Sequence, residues 1–293
     1  MKLNNLTLEE KRVIQEKGTE APFTGEYEKH KELGVYICRQ CDAYLYRSSD
    51  KFESECGWPS FDDEIDGSVQ KTLDADGSRT EITCSRCSGH LGHIFKGEHL
   101  TDTNIRHCVN SVSMKFVDEL DVSKESRVFL GGGCFWCLEA VFKMLPGVIL
   151  ITSGYAGGEE KDSTYDRVCS GETGHAEIVE IMFDPTLVSL EKVLELFFDS
   201  HDPTSLNRQG SDVGPQYRSI ILCDSKVQKE IVESYVERIA QSFTEPIVTE
   251  VVLLDVFYKA EAEHQDYFKN NPEKAYCQIV IAPKVEKAKK HLG

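Results

Sequence analysis

The chain has no excess of positive charge: 33 Lys and Arg stand against 50 Asp and Glu, a net charge of −17. A surface of that sign repels a phosphate backbone, which argues against nucleic-acid binding and for a soluble monomer. Long apolar runs are also missing, and none approaches the length of a membrane span. Met1-Lys2-Leu3-Asn4-Asn5 has no apolar core of a secretory signal, so a cytoplasmic protein with no membrane partner is expected. Repeats and low-complexity segments are absent, and the two halves do not resemble each other. Cysteine is abundant, at eleven residues. In a reducing compartment that number points to metal ligands, redox groups or core positions rather than a disulfide framework.

With 40% hydrophobic content over 293 residues, two domains of ordinary size are expected. Thr7-Leu8-Glu9-Glu10 has capping-box form and Gly18 is a plausible stop, predicting a helix over 8–17. Short runs at Val35–Ile37, Arg79–Thr83 and Val112–Val117 read as strands, with Asp74-Ala75-Asp76-Gly77 a hairpin turn. Residues 1–120 thus form a small β-rich domain of antiparallel sheets. The charged stretch 118–126 reads as a linker, and 127–293 as an α+β two-layer domain with a mixed sheet. Its expected elements are strands at 127–130, 178–183, 217–223 and 247–256, and helices at 139–145, 189–198 and 260–269. A further helix, capped by Ser225 and Gln228, carries a predicted buried stripe of Val227, Ile231, Tyr235, Ile239 and Phe243.

Two stretches carry most of the chemistry. Gly131-Gly132-Gly133-Cys134-Phe135-Trp136-Cys137 lies between a strand and a helix, which places Cys134 at or near a helix N-terminus, where the dipole favours a thiolate. Taken alone, the stretch also fits a buried cysteine in a glycine-rich turn. Cys38-Arg39-Gln40-Cys41 and Cys84-Ser85-Arg86-Cys87 are two C-x-x-C knuckles that together offer four thiolates to one structural zinc, stapling two distant hairpins. Around them stand Cys56-Gly57-Trp58, His90-Leu91-Gly92-His93 and Arg106-His107-Cys108-Val109-Asn110. An arginine beside Cys108 would lower its pKa, and a histidine could donate a proton.

These motifs resemble methionine sulfoxide reductases. Residues 1 to about 120 are similar to the B type, through both knuckles, CGWPSF, HLGHIF and RHCVNSVSMKF. Residues 127–293 are similar to the A type, through GGGCFWCLEAVF, Gly174-His175-Ala176-Glu177, the run from Asp202 to Ser219, and Phe257–Tyr267. The resemblance implies a fusion that reduces both sulfoxide epimers, S in the A-type domain and R in the B-type domain. It makes Cys134 the A-type nucleophile and Glu177 the proton donor, with Tyr165 and Tyr217 holding the oxygen near Asp212 and with Phe135 and Trp136 as the wall for the substrate methyl. Its resolving cysteine is Cys277 or Cys137, with Cys277 slightly ahead because relatives carry one in a Gly-Tyr-Cys context. Here the glycine is Ala275, and Gln278–Pro283 reads as a strand. Cys169 and Cys223 are assigned to packing.

In the B-type domain the resemblance makes Cys108 the nucleophile and Cys56 its partner. Arg106 would activate the thiol, His90 and His93 handle the oxygen, Asn110 orient a histidine and Trp58 receive the methyl. Relatives often continue the HLGH motif with Pro-Asp, whereas this chain has Lys96-Gly97, so a missing acidic partner is expected, with Glu98 as its substitute. Oxidised methionine, free or in proteins, is the expected substrate and thioredoxin or glutaredoxin the reductant, with zinc but no organic cofactor. A general thiol–disulfide oxidoreductase using Cys134 and Cys137 is the rival reading, but it leaves Glu177 and the tyrosines without a role.

Overall fold

Thr7 opens the first helix, α1 (Leu8–Ile14): its hydroxyl accepts from the Glu10 amide while the Glu10 carboxylate accepts from the Thr7 amide. The helix ends at Ile14, short of the predicted 17, because Lys17 turns left-handed and the Gly18 amide folds back onto the Arg12 carbonyl. This computed structural model describes residues 3–74, 77, 79–118 and 127–292, and the chain divides into two units, Met1–Val122 and Ser123–Gly293. Residues 119–126 of the expected linker, and Ala75 and Asp76 of the expected turn, lie outside the described residues.

Among the described residues the first unit has nine strands: β1 (Gly34–Cys38), β2 (Tyr44–Arg47), β3 (Lys51–Phe52), β4 (Ser60–Phe61), β5 (Val69–Leu73), β6 (Thr80–Cys84), β7 (His90–Lys96), β8 (Ile105–Val109) and β9 (Met114–Asp118). They form two antiparallel sheets, ordered β2-β1-β9 and β3-β4-β8-β7-β6-β5. Tyr36, Leu45, Tyr46, Phe61, Ile82 and Leu91 fill the core. Register matters most at β8, where Cys108 faces Ser60 of β4 on one side and His93 of β7 on the other. Gly92 lets β7 approach so closely that a Cβ there would run into the Cys108 carbonyl oxygen.

In the second unit the described strands are β10 (Arg127–Gly131), β11 (Val148–Ala156), β12 (Ala176–Phe183), β13 (Arg208–Gln209), β14 (Asp212–Val213), β15 (Ile220–Cys223), β16 (Glu250–Leu253) and β17 (Phe257–Lys259). Six of them form a mixed sheet, β16-β15-β10-β12-β11-β17, in which only the β15–β16 pair is parallel; β13 and β14 pair separately. β12 is buried on both faces, so its alternating apolar residues feed two cores. The larger core packs the sheet against α2 (Phe135–Phe142), α4 (Leu190–Ser200), α5 (Lys226–Ala240) and α7 (Ala282–Leu292), while α3 (Tyr165–Cys169) and α6 (Tyr267–Asn270) are short.

Several expectations are corrected. α2 starts at Phe135 rather than 139, directly after Cys134. Tyr217 lies in a 3-10 turn before β15 rather than in a strand. β16 keeps only Glu250–Leu253 of the predicted 247–256. Over 260–269 a 3-10 turn (Ala262–His264) and α6 replace one helix, because Asp266 is left-handed. The α5 stripe is rotated: Val227 and Ile231 are exposed, and Val232 and Tyr235 are buried. Gln278–Pro283 is helical, not a strand: a π turn (Cys277–Ile281) runs into α7 and buries Cys277, Ile281, Val285 and Ala288 at helical spacing. Pro283, which cannot donate a backbone bond, falls just past the π turn.

Candidate active sites

Each knuckle of the first unit turns through a left-handed residue, Asp42 or Ser88, whose amide returns to the carbonyl of Cys38 or Cys84. The four sulfurs converge: Cys38 and Cys87 lie 3.6 Å apart, as do Cys41 and Cys84, and all four fall within 4.8 Å of one another. A tetrahedron of thiolates on zinc has edges of about 3.8 Å, so the donor set fits a closed structural site.

Cys56 comes from the loop after β3 and Cys108 from β8, and their sulfurs are 3.9 Å apart. The pair shares one negative charge. The bond from the Cys108 thiol, aided by the hydroxyls of Ser54 and Ser60, pulls Cys56 down to about 4 and pushes Cys108 up; Arg106 draws the charge toward Cys108. Proton transfer across that contact is all that is needed to make Cys108 the thiolate. Cys108 lines a cavity of about 110 Å³ with Trp58, His93 and Asn110. The Trp58 indole donates to the Glu20 carbonyl at 3.2 Å, and the Glu20 carboxylate accepts from the Ser111 and Val112 amides, so the N-terminal segment straps the site.

The side chains around this pair depart from expectation. Asn110 holds neither histidine; its amide donates to the Leu91 carbonyl at 2.9 Å and its oxygen accepts from the Glu20 amide. Glu98 serves Arg106, in a two-pronged pair at 2.7 and 2.9 Å. The histidines have carboxylates that the sequence did not reveal: His90 Nδ1 lies 2.7 Å from Glu81, and His93 Nε2 lies 3.4 Å from Asp74.

In the second unit, Gly133 is left-handed and turns the chain so that Cys134 caps α2 and Cys137 occupies its first turn. The Cys137 amide donates to the Cys134 carbonyl at 3.0 Å, and the two thiols are within electrostatic reach of each other. Burial outweighs the helix dipole: it pushes Cys134 up, with Cys137 adding to the effect, while the Cys134 thiol draws Cys137 down to about 7. Glu177 of β12 accepts from the Phe135 amide at 2.9 Å, and burial drives its carboxyl up to about 8. It therefore carries a proton at neutral pH. Burial also raises the phenols of Tyr165 and Tyr217, each within electrostatic reach of Glu177 and Cys134.

Trp136 stacks on Tyr267 at 3.7 Å and lies 5.8 Å from Tyr165, forming the aromatic wall; Phe135 is fully buried behind it. Glu139 accepts from the Asp266 and Tyr267 amides and so holds that stack. Tyr276 was not singled out from sequence, yet its hydroxyl donates to Asp212 at 2.9 Å and lies 4.0 Å from the Cys137 sulfur. Cys277, its neighbour, is fully buried in the main core. Cys223 is also buried there, whereas Cys169 is half-buried near Tyr165.

The family described as "Peptide methionine sulfoxide reductase" matches residues 126–293, and the SelR domain matches residues 6–118. The chain belongs to the peptide methionine sulfoxide reductase family. Among its relatives, the peptide methionine sulfoxide reductase MsrA of Natronomonas pharaonis is 54% identical over 159 residues, covering 54% of this chain and 89% of that one. The MsrA of Leptospira borgpetersenii is 54% identical over 158 residues, covering 54% and 90%. Reduced Mxr1 from Saccharomyces cerevisiae superposes with a TM-score of 0.50 at 31% identity, over 53% of this chain and 91% of that one. A SelR, or B-type, unit thus precedes an A-type unit.

Proposed function

We propose that Cys108 and Cys134 are the two nucleophiles of a bifunctional methionine sulfoxide reductase. The chain reduces oxidised methionine, the A-type unit acting on the S epimer and the B-type unit on the R epimer. One observation carries the residue assignment: in each unit two neighbouring cysteines meet a proton-donating group beside an aromatic wall.

In the A-type unit the Cys134 thiolate bonds to the sulfoxide sulfur while the Glu177 carboxylic acid gives its proton to the oxygen, which Tyr165 and Tyr217 hold. A sulfoxide oxygen leaves sulfur poorly unless protonated, and a carboxyl that stays neutral to about pH 8 supplies that proton. The protonated oxygen then moves to Cys134, the Cys134 S–O bond forming as the methionine S–O bond and the new S–S bond break, so methionine departs and Cys134 is left as a sulfenic acid. Cys137, in the first turn of the same helix and the more acidic thiol, attacks that sulfur, expels water and closes a disulfide, which an external dithiol of the thioredoxin or glutaredoxin type then reduces. Its spacing and acidity favour Cys137 over Cys277, which is buried in the core. In the B-type unit Cys108, with Arg106 nearby and His90 and His93 as proton donors, follows the same sequence and Cys56 closes the disulfide. Cys38, Cys41, Cys84 and Cys87 hold one zinc, which supplies structure and no chemistry to either step. A monomer in the cytoplasm completes this reading.

The assay uses pure R and S epimers of peptide methionine sulfoxide. Cys108→Ser is expected to abolish R turnover alone and Cys134→Ser S turnover alone. Loss of both epimers from either change would refute independent sites.

A further inference from the structure

We propose that Glu81 is a positioning residue for R-epimer reduction, fixing His90 so that Nε2 is the ring atom that serves the sulfoxide oxygen. The proposal rests on the assignment of R-epimer chemistry to the B-type unit and adds to it the group that sets the histidine's tautomer.

Glu81 lies on β6, directly opposite His93 of β7, and an irregularity in register after Ile82 brings His90 opposite Thr83. That offset lets the Glu81 carboxylate reach along the face to His90 Nδ1, 2.7 Å away. Its other oxygen accepts from Lys17 Nζ at 2.7 Å. Glu81 is only 7% exposed and His90 only 2%. Burial alone would raise the Glu81 pKa, but the bonds from Lys17 and His90 outweigh it and hold the group ionised. A buried carboxylate with both oxygens engaged is a fixed acceptor.

The consequence falls on the far side of the ring. An ionised carboxylate only accepts, so Nδ1 donates to Glu81 and Nε2 is the ring atom left to meet substrate. Nε2 is buried and has no hydrogen-bond partner among the described residues. Unpaired buried polar atoms are uncommon, and one on a histidine packed against His93, which lines the Cys108 cavity, points to a bond that substrate completes. The His90 ring packs edge-on against His93 at 5.5 Å, and His93 faces Cys108 across the β7–β8 ladder. Ser113 fixes the backbone, its hydroxyl donating to the His90 carbonyl at 2.9 Å. As Cys108 bonds to the sulfoxide sulfur, the Nε2 proton passes to the oxygen. The oxygen then passes from the methionine sulfur to Cys108: the Cys108 S–O bond forms as the methionine S–O bond and the new S–S bond break, leaving methionine and the Cys108 sulfenic acid. The ring ends neutral, its Nδ1 proton still donated to Glu81. Lys17 belongs to the N-terminal segment, so it ties that segment to the orientation of the histidine.

The test measures R and S turnover of the full chain for Glu81→Gln, His90→Ala and the double variant, with S turnover as the internal control. Glu81→Gln is expected to lower R-epimer kcat at least about tenfold with KM within about twofold, the scale of a lost proton-transfer partner. In the His90→Ala background the same change is expected to alter kcat less than about twofold, because both act through one ring. In wild type a downfield imidazole proton is expected in the NMR spectrum, absent from Glu81→Leu. An equal loss in both backgrounds, or a rise in KM with kcat unchanged, overturns the proposal and makes Glu81 a structural residue. Wild-type protein that reduces S but not R overturns the B-type assignment itself, before any variant is read.

Discussion

The proposed sites of the two units share an inventory, a nucleophilic thiol, a partner thiol and a proton donor, on opposite kinds of scaffold. In the A-type unit the thiols are three residues apart on one helical turn, and the acid is a single buried carboxyl bonded to that helix's first amide. In the B-type unit the thiols are 52 residues apart, on a loop and a strand, and each histidine has a carboxylate of its own. A pair on one turn is positioned by local backbone geometry. A pair drawn from distant segments depends on strand register and on whatever ties the segments together, here the four-cysteine cluster and the N-terminal strap. The A-type site is locally made, and the B-type site is assembled.

Three experiments would break or sharpen that contrast. The largest effect is expected from Cys84→Ser, which should release roughly one zinc per chain and destabilise the B-type unit by several kcal/mol. R turnover would collapse with S turnover retained, read by metal analysis and epimer assay; parallel loss of S turnover would mean that the A-type site is not locally made. Next, Glu177→Gln should lower S turnover by about 10²- to 10⁴-fold and leave R turnover unchanged. Because the Glu177 pKa is raised, its acid form is present below about pH 8 and lost above it. The S-epimer rate should therefore fall as pH rises through that value, and a flat profile would remove Glu177 as donor. The smallest effect is that of Cys137→Ser: multiple turnover with a dithiol reductant should drop about tenfold, while one methionine per enzyme still forms. Cys277→Ser should change neither; the reverse result would give the A-type unit a distant partner thiol like that of the B-type unit.

Legibility in the sequence followed the same division. The α2 site was readable because its strand, glycine turn, cysteine and helix are contiguous, although α2 begins four residues earlier than its apolar pattern suggested. The α5 stripe was misplaced because positions four apart mark a helix face without saying which face meets the sheet: Val232 packs inward and Ile231 does not. Gln278–Pro283 misled because a short apolar run fits a strand as well as a buried helix, and Val285 and Ala288, which share its buried helix face, lie further on. Glu81 carried no signal: it sits in an ordinary strand, and only the β6–β7 pairing brings it to His90.

By itself the sequence determined residue types at fixed local spacing: the Cys134–Cys137 pair at a helix start, the two metal knuckles, and the acidic charge that argues against a nucleic-acid partner. Tertiary structure decided which groups share a proton. Protonation depends on burial and on contacts within about 3 to 4 Å, and those are set by register and packing. Hence the raised Glu177 carboxyl, the Glu81–His90 pair, and a Cys277 that packs in the core while Cys137 shares the first helical turn with Cys134.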